Sequence, residues 1–313
     1  MRFVRGLAAR GLVALVSLRA RSAARKTCAR YPATGASGSR QRPRVNASSC
    51  VSLDDYRAWA RRPIADDYVY LWADGVYLDA GAEDERRVML AIIGVNTNGD
   101  KELLALEDAF GESTESWSVV FEGLRERGLK SVAMLVADGA QGIWKAFSAV
   151  FPRAKQQRCW LHKMRNVEDK LPEKHRPAIH ARLQEIMHAE SRSQAERLSE
   201  KLARELARQY PKAAACVRDD LARMTAYFAF PKPHWKHLRT TNIIESNFDV
   251  VRSRINVCKR LRQPESATYL VWALLMRRKG RWRRFNGYTS LAPVRQALLE
   301  KRNDKVIALR KAA

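Results

Sequence analysis

Several classes of protein are excluded by what this sequence lacks. No apolar run approaches the ~20 residues that a membrane-crossing helix needs; the longest, GLVALVSL at 11–18, is far too short. Cysteine is scarce and odd in number, with five at positions 28, 50, 159, 216 and 258. That irregular spacing is not a disulfide framework and suits a reducing compartment. Acid is also in short supply: 33 Asp and Glu stand against 58 Lys and Arg, for a net charge of +25. So large a basic excess concerns partners rather than fold, and it favours a polyanion such as nucleic acid, because each phosphate contact releases condensed counterions.

What is present divides the 313 residues unevenly. Residues 1–52 read as a disordered or non-native basic segment: Met1 to Cys50 holds eleven Lys or Arg, no Asp or Glu, and no sustained periodicity. An organellar transit peptide shares that composition. From Leu53 onward the pattern changes. DDYVYLWADGVYLDA (66–80) is rich in strand formers. RRVMLAIIGVNTNGDKELLALEDA then predicts two strands joined by a turn at Asn98-Gly99, a strong short-range hairpin signal. Trp117, Val120, Phe121 and Leu124 share one helical face, and SVAMLVADGA reads as a buried strand ending at Asp138. A helix GIWKAFSAVF and a strand-like KQQRCWLH complete a mixed α/β layout. Three amphipathic helices follow, the last spanning CVRDDLARMTAYFAF, before PKPHW at 231–235 interrupts the series. Beyond it stands a helix carrying Glu245, then a basic C-terminal region.

Three carboxylates draw attention within this layout. Asp74 lies inside an apolar strand, where a carboxylate needs a partner; Asp138 ends a strand, and Glu245 lies on a helix. Carboxylates gathered at one point suit magnesium, a hard cation that takes oxygen ligands. Solvated surface acids are the alternative for each. Glu245 has a specific one, the third position of a helix capped by Asn242. Glu245, Asp249 and Arg252 share a face, which fits an exposed ion-pair stripe or a ligand flanked by phosphate contacts.

Four segments, YVYLWADGVY, VADGAQGIWKAF, QRCWLHKMRNV and HWKHLRTTNIIESNFDVVRSR, resemble in order and spacing the Mutator-type insertion-sequence transposases of bacteria, over roughly residues 53–290. The resemblance implies an α/β fold: an RNase H-like mixed-sheet core at 53–163, an all-helical insertion at 164–236, a closing catalytic helix with basic C-terminal part at 237–290, and a basic tail at 291–313. It implies a DDE triad of Asp74, Asp138 and Glu245, which would hold two Mg2+ or Mn2+ ions. Cys159 and His162 match the family's Cys-two-residues-His element near the site. The implied partners are DNA, both element terminal inverted repeats and target, and further copies of the chain assembled on it. The implied place is the bacterial cytoplasm, at the nucleoid, with no membrane. Family members usually carry a helical recognition region before the core, unlike the first fifty residues here. The expectation is therefore a truncated or frame-shifted copy retaining the catalytic half, with an inactive remnant or a non-catalytic DNA-binding protein as alternatives.

Two further patterns complete the expectations. Cys159, His162, His175 and His180 form a C-x2-H-x12-H-x4-H string close to zinc-finger spacing, against which stands packing beside the second aspartate. RSRINVCKRLR and RRKGRWRRF interleave cations with aromatics, making Arg252, Arg254, Lys259, Arg260, Arg281, Trp282, Arg283 and Arg284, with Arg239, the expected DNA contacts. Trp282 and Phe285 either stack on unpaired bases or anchor the segment in the core; Trp235 is expected to pack inside.

Overall fold

Apolar alternation at period two builds the centre of the molecule. Strand β1 (Tyr68–Leu78) sends Tyr70, Trp72 and Val76 to one face and Leu71 and Ala73 to the other, all fully buried. This computed structural model describes residues 52–78, 87–255 and 264–300. Strands β2 (Arg87–Asn96) and β3 (Lys101–Ala109) form the expected antiparallel hairpin, and Gly99 at its turn takes φ +86°. That left-handed conformation is one that glycine adopts without steric cost. Strands β4 (Met134–Ala137) and β5 (Lys155–Arg158) run parallel to β1, giving a five-stranded mixed sheet in the order β3-β2-β1-β4-β5.

Helices cover both faces of the sheet. Ser113 caps α2 (Thr114–Glu126), its hydroxyl accepting the Ser116 N–H at 3.0 Å. Helix α2 and α3 (Gln141–Val150) bury Trp117, Phe121, Ile143 and Phe147 against the face bearing Leu71, Ala73 and Ile92. The opposite face receives α10 (Asn242–Ile255), through Ile244, Phe248 and Val251, and α11 (Pro264–Arg278), through Val271 and Leu275. Replacing the wholly buried Phe248 by alanine would cost ~3–5 kcal/mol and undock α10.

Between β5 and α10 the chain is helical, as expected, in α4 (Trp160–Glu168), α5 (Arg176–Met187), α6 (Arg192–Ala207), α7 (Pro211–Arg218), α8 (Leu221–Met224) and α9 (Trp235–Leu238). Two boundaries differ from the sequence reading. The strand expected over KQQRCWLH stops at Arg158, because Cys159 begins α4, where its carbonyl accepts the Lys163 N–H at 3.1 Å. The helix expected over CVRDDLARMTAYFAF is broken, since Asp220 takes φ 60° and its carboxylate accepts from Arg158 and Arg223 instead. A short amphipathic helix, α1 (Leu53–Arg61), was not anticipated; Ser52 caps it in a capping box with Asp55.

The segment after α11 closes over the sheet. Beyond α11, the Phe285 N–H donates to the Gly99 carbonyl at 2.8 Å and Arg284 Nε to the Asn98 carbonyl at 2.7 Å, fastening the segment to the β2–β3 turn. Phe285 is fully buried among Tyr70, Trp72 and His234. Residues 291–300 are helical, and Arg295, 5% exposed, donates to the Tyr68 and Ser131 carbonyls and pairs with Asp66 at 2.9 Å.

Candidate active site

The register of the sheet determines where the two aspartates stand. Tyr70, Leu71 and Trp72 pair with Met134, Leu135 and Val136, so continuing the parallel ladder sets Asp74 level with Asp138 on the adjacent strand. Side chains alternate across a strand. Asp74 therefore shares its face with Trp72 and Val76, and Asp138 shares its face with Met134 and Val136, the face on which α10 packs. Asp74 is 9% exposed. Asp138, just past the end of β4, accepts the Ala140 N–H at 3.1 Å, which orients its carboxylate within the tight Asp138-Gly139 turn.

Glu245 is positioned by another route. The Cys159 N–H donates to the Ala137 carbonyl at 2.8 Å, and the Trp160 N–H to the Arg239 carbonyl at 2.9 Å, so β4, the start of α4 and the approach to α10 are tied together. The cap of α10 is Thr241 rather than Asn242: its carbonyl accepts the Ile244 and Glu245 N–H groups at 2.9 and 3.0 Å. Its hydroxyl donates to Glu245 Oε1 and lies 3.1 Å from Cys159 Sγ. His162 Nδ1 stands 3.7 Å from the same Glu245 oxygen. Ligand-type atoms of Cys159, His162 and Glu245 all fall within 4.8 Å of one another.

Electrostatics report the same convergence. Burial first, then the charges of Asp138 and Glu245, push the Asp74 carboxyl up to about 7. Contact with the Cys159 sulfur, aided by Glu245 and Asp138, raises the His162 imidazole to about 9 against the effect of burial. Burial works to raise the Cys159 thiol, yet hydrogen bonding from His162 and Thr241 brings it below its ordinary value. Carboxylates that disfavour one another's ionisation are relieved by a cation, and the oxygen donors of Asp74, Asp138 and Glu245 are of the type that Mg2+ or Mn2+ takes, whereas the ligand atoms that lie together within 4.8 Å are the mixed set of Cys159, His162 and Glu245.

One participant escaped the sequence reading. Glu112, in the loop before α2, lies against Gly75: a Cβ on Gly75 would sit 2.5 Å from the Glu112 carboxyl carbon. Burial, then the charge of Asp138, raises the Glu112 carboxyl, and its own charge adds to the load on Asp74. The only sequence signal was Gly75 directly after Asp74, a glycine inside a strand where another backbone or side chain approaches closely.

Other expected site residues are distributed more widely. The zinc-finger string is not assembled: His180 bonds Glu168 at 2.6 Å and the His175 ring lies tilted against Tyr210, whereas Cys159 and His162 stand with Glu245. Arg239 is half-buried, over the Tyr227 and Trp235 rings at 5.0 and 5.9 Å. Trp235 packs as expected, its indole N–H donating to the Phe230 carbonyl. Phe285 is a core residue and unavailable for stacking on bases. Arg252 pairs with Asp249 at 3.2 Å; Arg281, Arg283 and Arg284 are exposed and Trp282 half-exposed. The Arg254 side chain, Lys259 and Arg260, and the acids at 83–85, lie outside the described residues.

Residues 47–285 match the family described as Transposase, Mutator family. The chain is 38% identical over 243 residues to the Transposase for insertion sequence element IS6120 of Mycolicibacterium smegmatis, covering 77% of this chain and 75% of that protein. It is 37% identical over 230 residues to the Transposase for insertion sequence element IST2 of Acidithiobacillus ferrooxidans, covering 73% and 78%. The chain belongs to the Mutator family of transposases. Among the described residues, no helix is long and apolar enough to cross a membrane.

Proposed function

We propose that this chain cleaves DNA strands at the ends of an insertion sequence and joins them to target DNA, with Asp74, Asp138 and Glu245 as the DDE triad of an RNase H-like core. What supports this reading is that Asp74 and Asp138 stand level on the sheet face against which the Glu245 helix packs, and that the charges of Asp138 and Glu245 act on Asp74, in a member of a transposase family. Its DNA partners would be the element's terminal repeats and the target, engaged by a homo-oligomer at the bacterial nucleoid.

The three carboxylates would hold two Mg2+ or Mn2+ ions, which supply Lewis-acid stabilisation of the phosphoryl oxygens and ease deprotonation of the attacking hydroxyl. The chain's own residues bind and orient. Asp74 is set within β1, and Asp138 by the end of β4 and the Ala140 N–H. Thr241 donates to Glu245 Oε1 and His162 flanks the same oxygen, so these two side chains fix how the carboxylate is held. With one-sided burial, Trp72, Val76 and Phe248 exclude water from behind the acids. Water attacks one phosphodiester, the phosphate stays on the 5′ side and the 3′ oxygen leaves as a hydroxyl; that hydroxyl attacks a second phosphodiester, in the target, joining to its 5′ side as the target's own 3′ oxygen leaves and is protonated, so no Ser, Tyr or Cys nucleophile is required. Arg and Lys near the site steady the phosphates.

The test offers element-end DNA and target DNA with Mg2+ and follows both hydrolysis and joining. Asp74→Asn, Asp138→Asn and Glu245→Gln are each expected to abolish both while DNA binding persists. Cleavage retained by any of the three removes that residue from the triad. A wild-type chain that binds but neither cuts nor joins supports the non-catalytic alternative.

A further inference from the structure

Helix α10 serves two flanks. Its apolar side, Ile244, Phe248 and Val251, faces the sheet, and Glu245 stands on one flank beside His162. At 100° per residue, Asn242, Ile243, Ser246 and Asn247 fall on the other flank. There a cavity of about 310 Å³ opens, lined by those four residues with Lys101, Arg278, Arg281, Trp282 and Arg283.

The wall of this cavity is made to donate. It carries four cationic side chains, and among the described residues no Asp or Glu lines it. Glu102, next to Lys101, is engaged elsewhere, by Lys279 at 3.2 Å and Arg62 at 3.9 Å. Lys101 Nζ donates to the Arg283 carbonyl at 2.9 Å, which holds β3 and the post-α11 segment together as one rim. Arg278 Nε and the Trp282 indole N–H have no hydrogen-bond partner among the described residues. Burial, and then the charge of Lys236, makes Lys101 easier to deprotonate than an ordinary lysine, a load that a bound anion relieves. Asn247 turns its amide back to the Ile243 carbonyl at 2.8 Å, leaving Asn242 and Ser246 as exposed polar groups at the mouth.

We propose that this cavity binds a backbone phosphate of the DNA strand whose scissile phosphodiester lies at Glu245. The proposal rests on the reading that the acid cluster acts on DNA. A strand crossing the exposed ridge of α10 spans one helix width, ~10 Å, or about three nucleotides at the ~3.4 Å rise of a duplex strand. The cavity would then fix the strand's register on the helix without reading its sequence, because donors to phosphate carry no base information.

The experiment uses the full chain without divalent ions. It measures binding of a labelled DNA duplex of arbitrary sequence with a single-stranded 3′ extension, across a range of salt concentrations. Arg281→Gln and Arg278→Gln are each expected to weaken binding about tenfold and to flatten the salt slope by about 0.7–0.9, one phosphate contact's worth. Arg197→Gln, which removes an exposed arginine from α6, controls for bulk charge and is expected to change affinity less than about twofold. Should the pocket variants match this control in affinity and slope, the assignment is overturned. If Arg278→Gln melts early, the exposed Arg281 carries the test alone. An abasic extension is expected to show the same loss on substitution; a loss confined to the base-bearing strand would overturn the phosphate assignment in favour of a base. Because no metal or turnover is needed, failure here leaves the triad standing, whereas cleavage by Asp74→Asn overturns the triad and leaves this binding intact.

Discussion

The two aspartates and the glutamate are positioned by contrasting means. Asp74 is set by a hydrogen-bonded strand, and moving it would require a slip of register that turns Trp72 out of the core; Asp138, one residue past β4, is held by the end of that strand and by the Ala140 N–H. Glu245 stands one turn inside a helix, and its direction depends on Thr241, at that helix's own cap, and on Cys159 and His162, at the start of α4. Backbone placement tolerates change nearby. Placement by side chains fails when one supporting atom is removed.

The largest effect that would sharpen this contrast lies in the acids themselves. Asp74→Asn and Glu245→Gln should each lower strand cleavage about a thousandfold or more, read from single-turnover rates. Their effects on stability should diverge. Because burial and its acidic neighbours raise the Asp74 carboxyl to about 7, the native state holds this proton more tightly than the unfolded chain. Metal-free stability is then greatest below about pH 4 as far as this group is concerned, and is lost as pH rises towards 7, by on the order of 4 kcal/mol. Denaturant titrations in chelator at pH 5 and 8 should show that fall, and Asp74→Asn should remove most of it. A slope unchanged in the variant would contradict the buried, acid-crowded environment.

Smaller effects probe the supports. Thr241→Val keeps the shape and deletes the hydroxyl; cleavage should drop ~10–100-fold, as for other groups that orient a ligand. Thr241→Ser should restore the rate. Equal rates for the valine and serine variants would mean that Glu245 is held by the backbone after all, and the contrast would vanish. Least of all, Gly75→Ala should slow cleavage only a few-fold, because its methyl group pushes on the flexible end of Glu112 rather than on backbone. A loss as large as that of Asp74→Asn would promote Glu112 to the rank of the triad.

Local chemistry explains which of these features could be read directly from sequence. Residues 68–78, the Asn98-Gly99 turn and the faces of α2 and α10 follow from period and turn preference, and the structure holds them as expected. The missed cap is instructive. Asn242 and Thr241 both have cap-forming side chains, and the choice fell to Thr241 because the Trp160–Arg239 backbone bond and the Cys159 sulfur hold the chain there. Asp220 likewise left its helix for Arg158 and Arg223, partners 62 and 3 residues away. Glu112 had no local sign beyond the glycine it covers. In each case a contact distant in sequence outweighed a local preference, and such contacts leave no periodic trace.

The fastening of Phe285 to the β2–β3 turn has a consequence for how the molecule is made. Tyr70 and Trp72 leave the ribosome more than two hundred residues before the ring that completes their packing. Until then the nascent chain presents a large aromatic surface, and pairings so distant in sequence form slowly. Synthesis that halts before residue 285 would release a chain without this seal, a substrate for chaperones and proteases rather than a working half-enzyme.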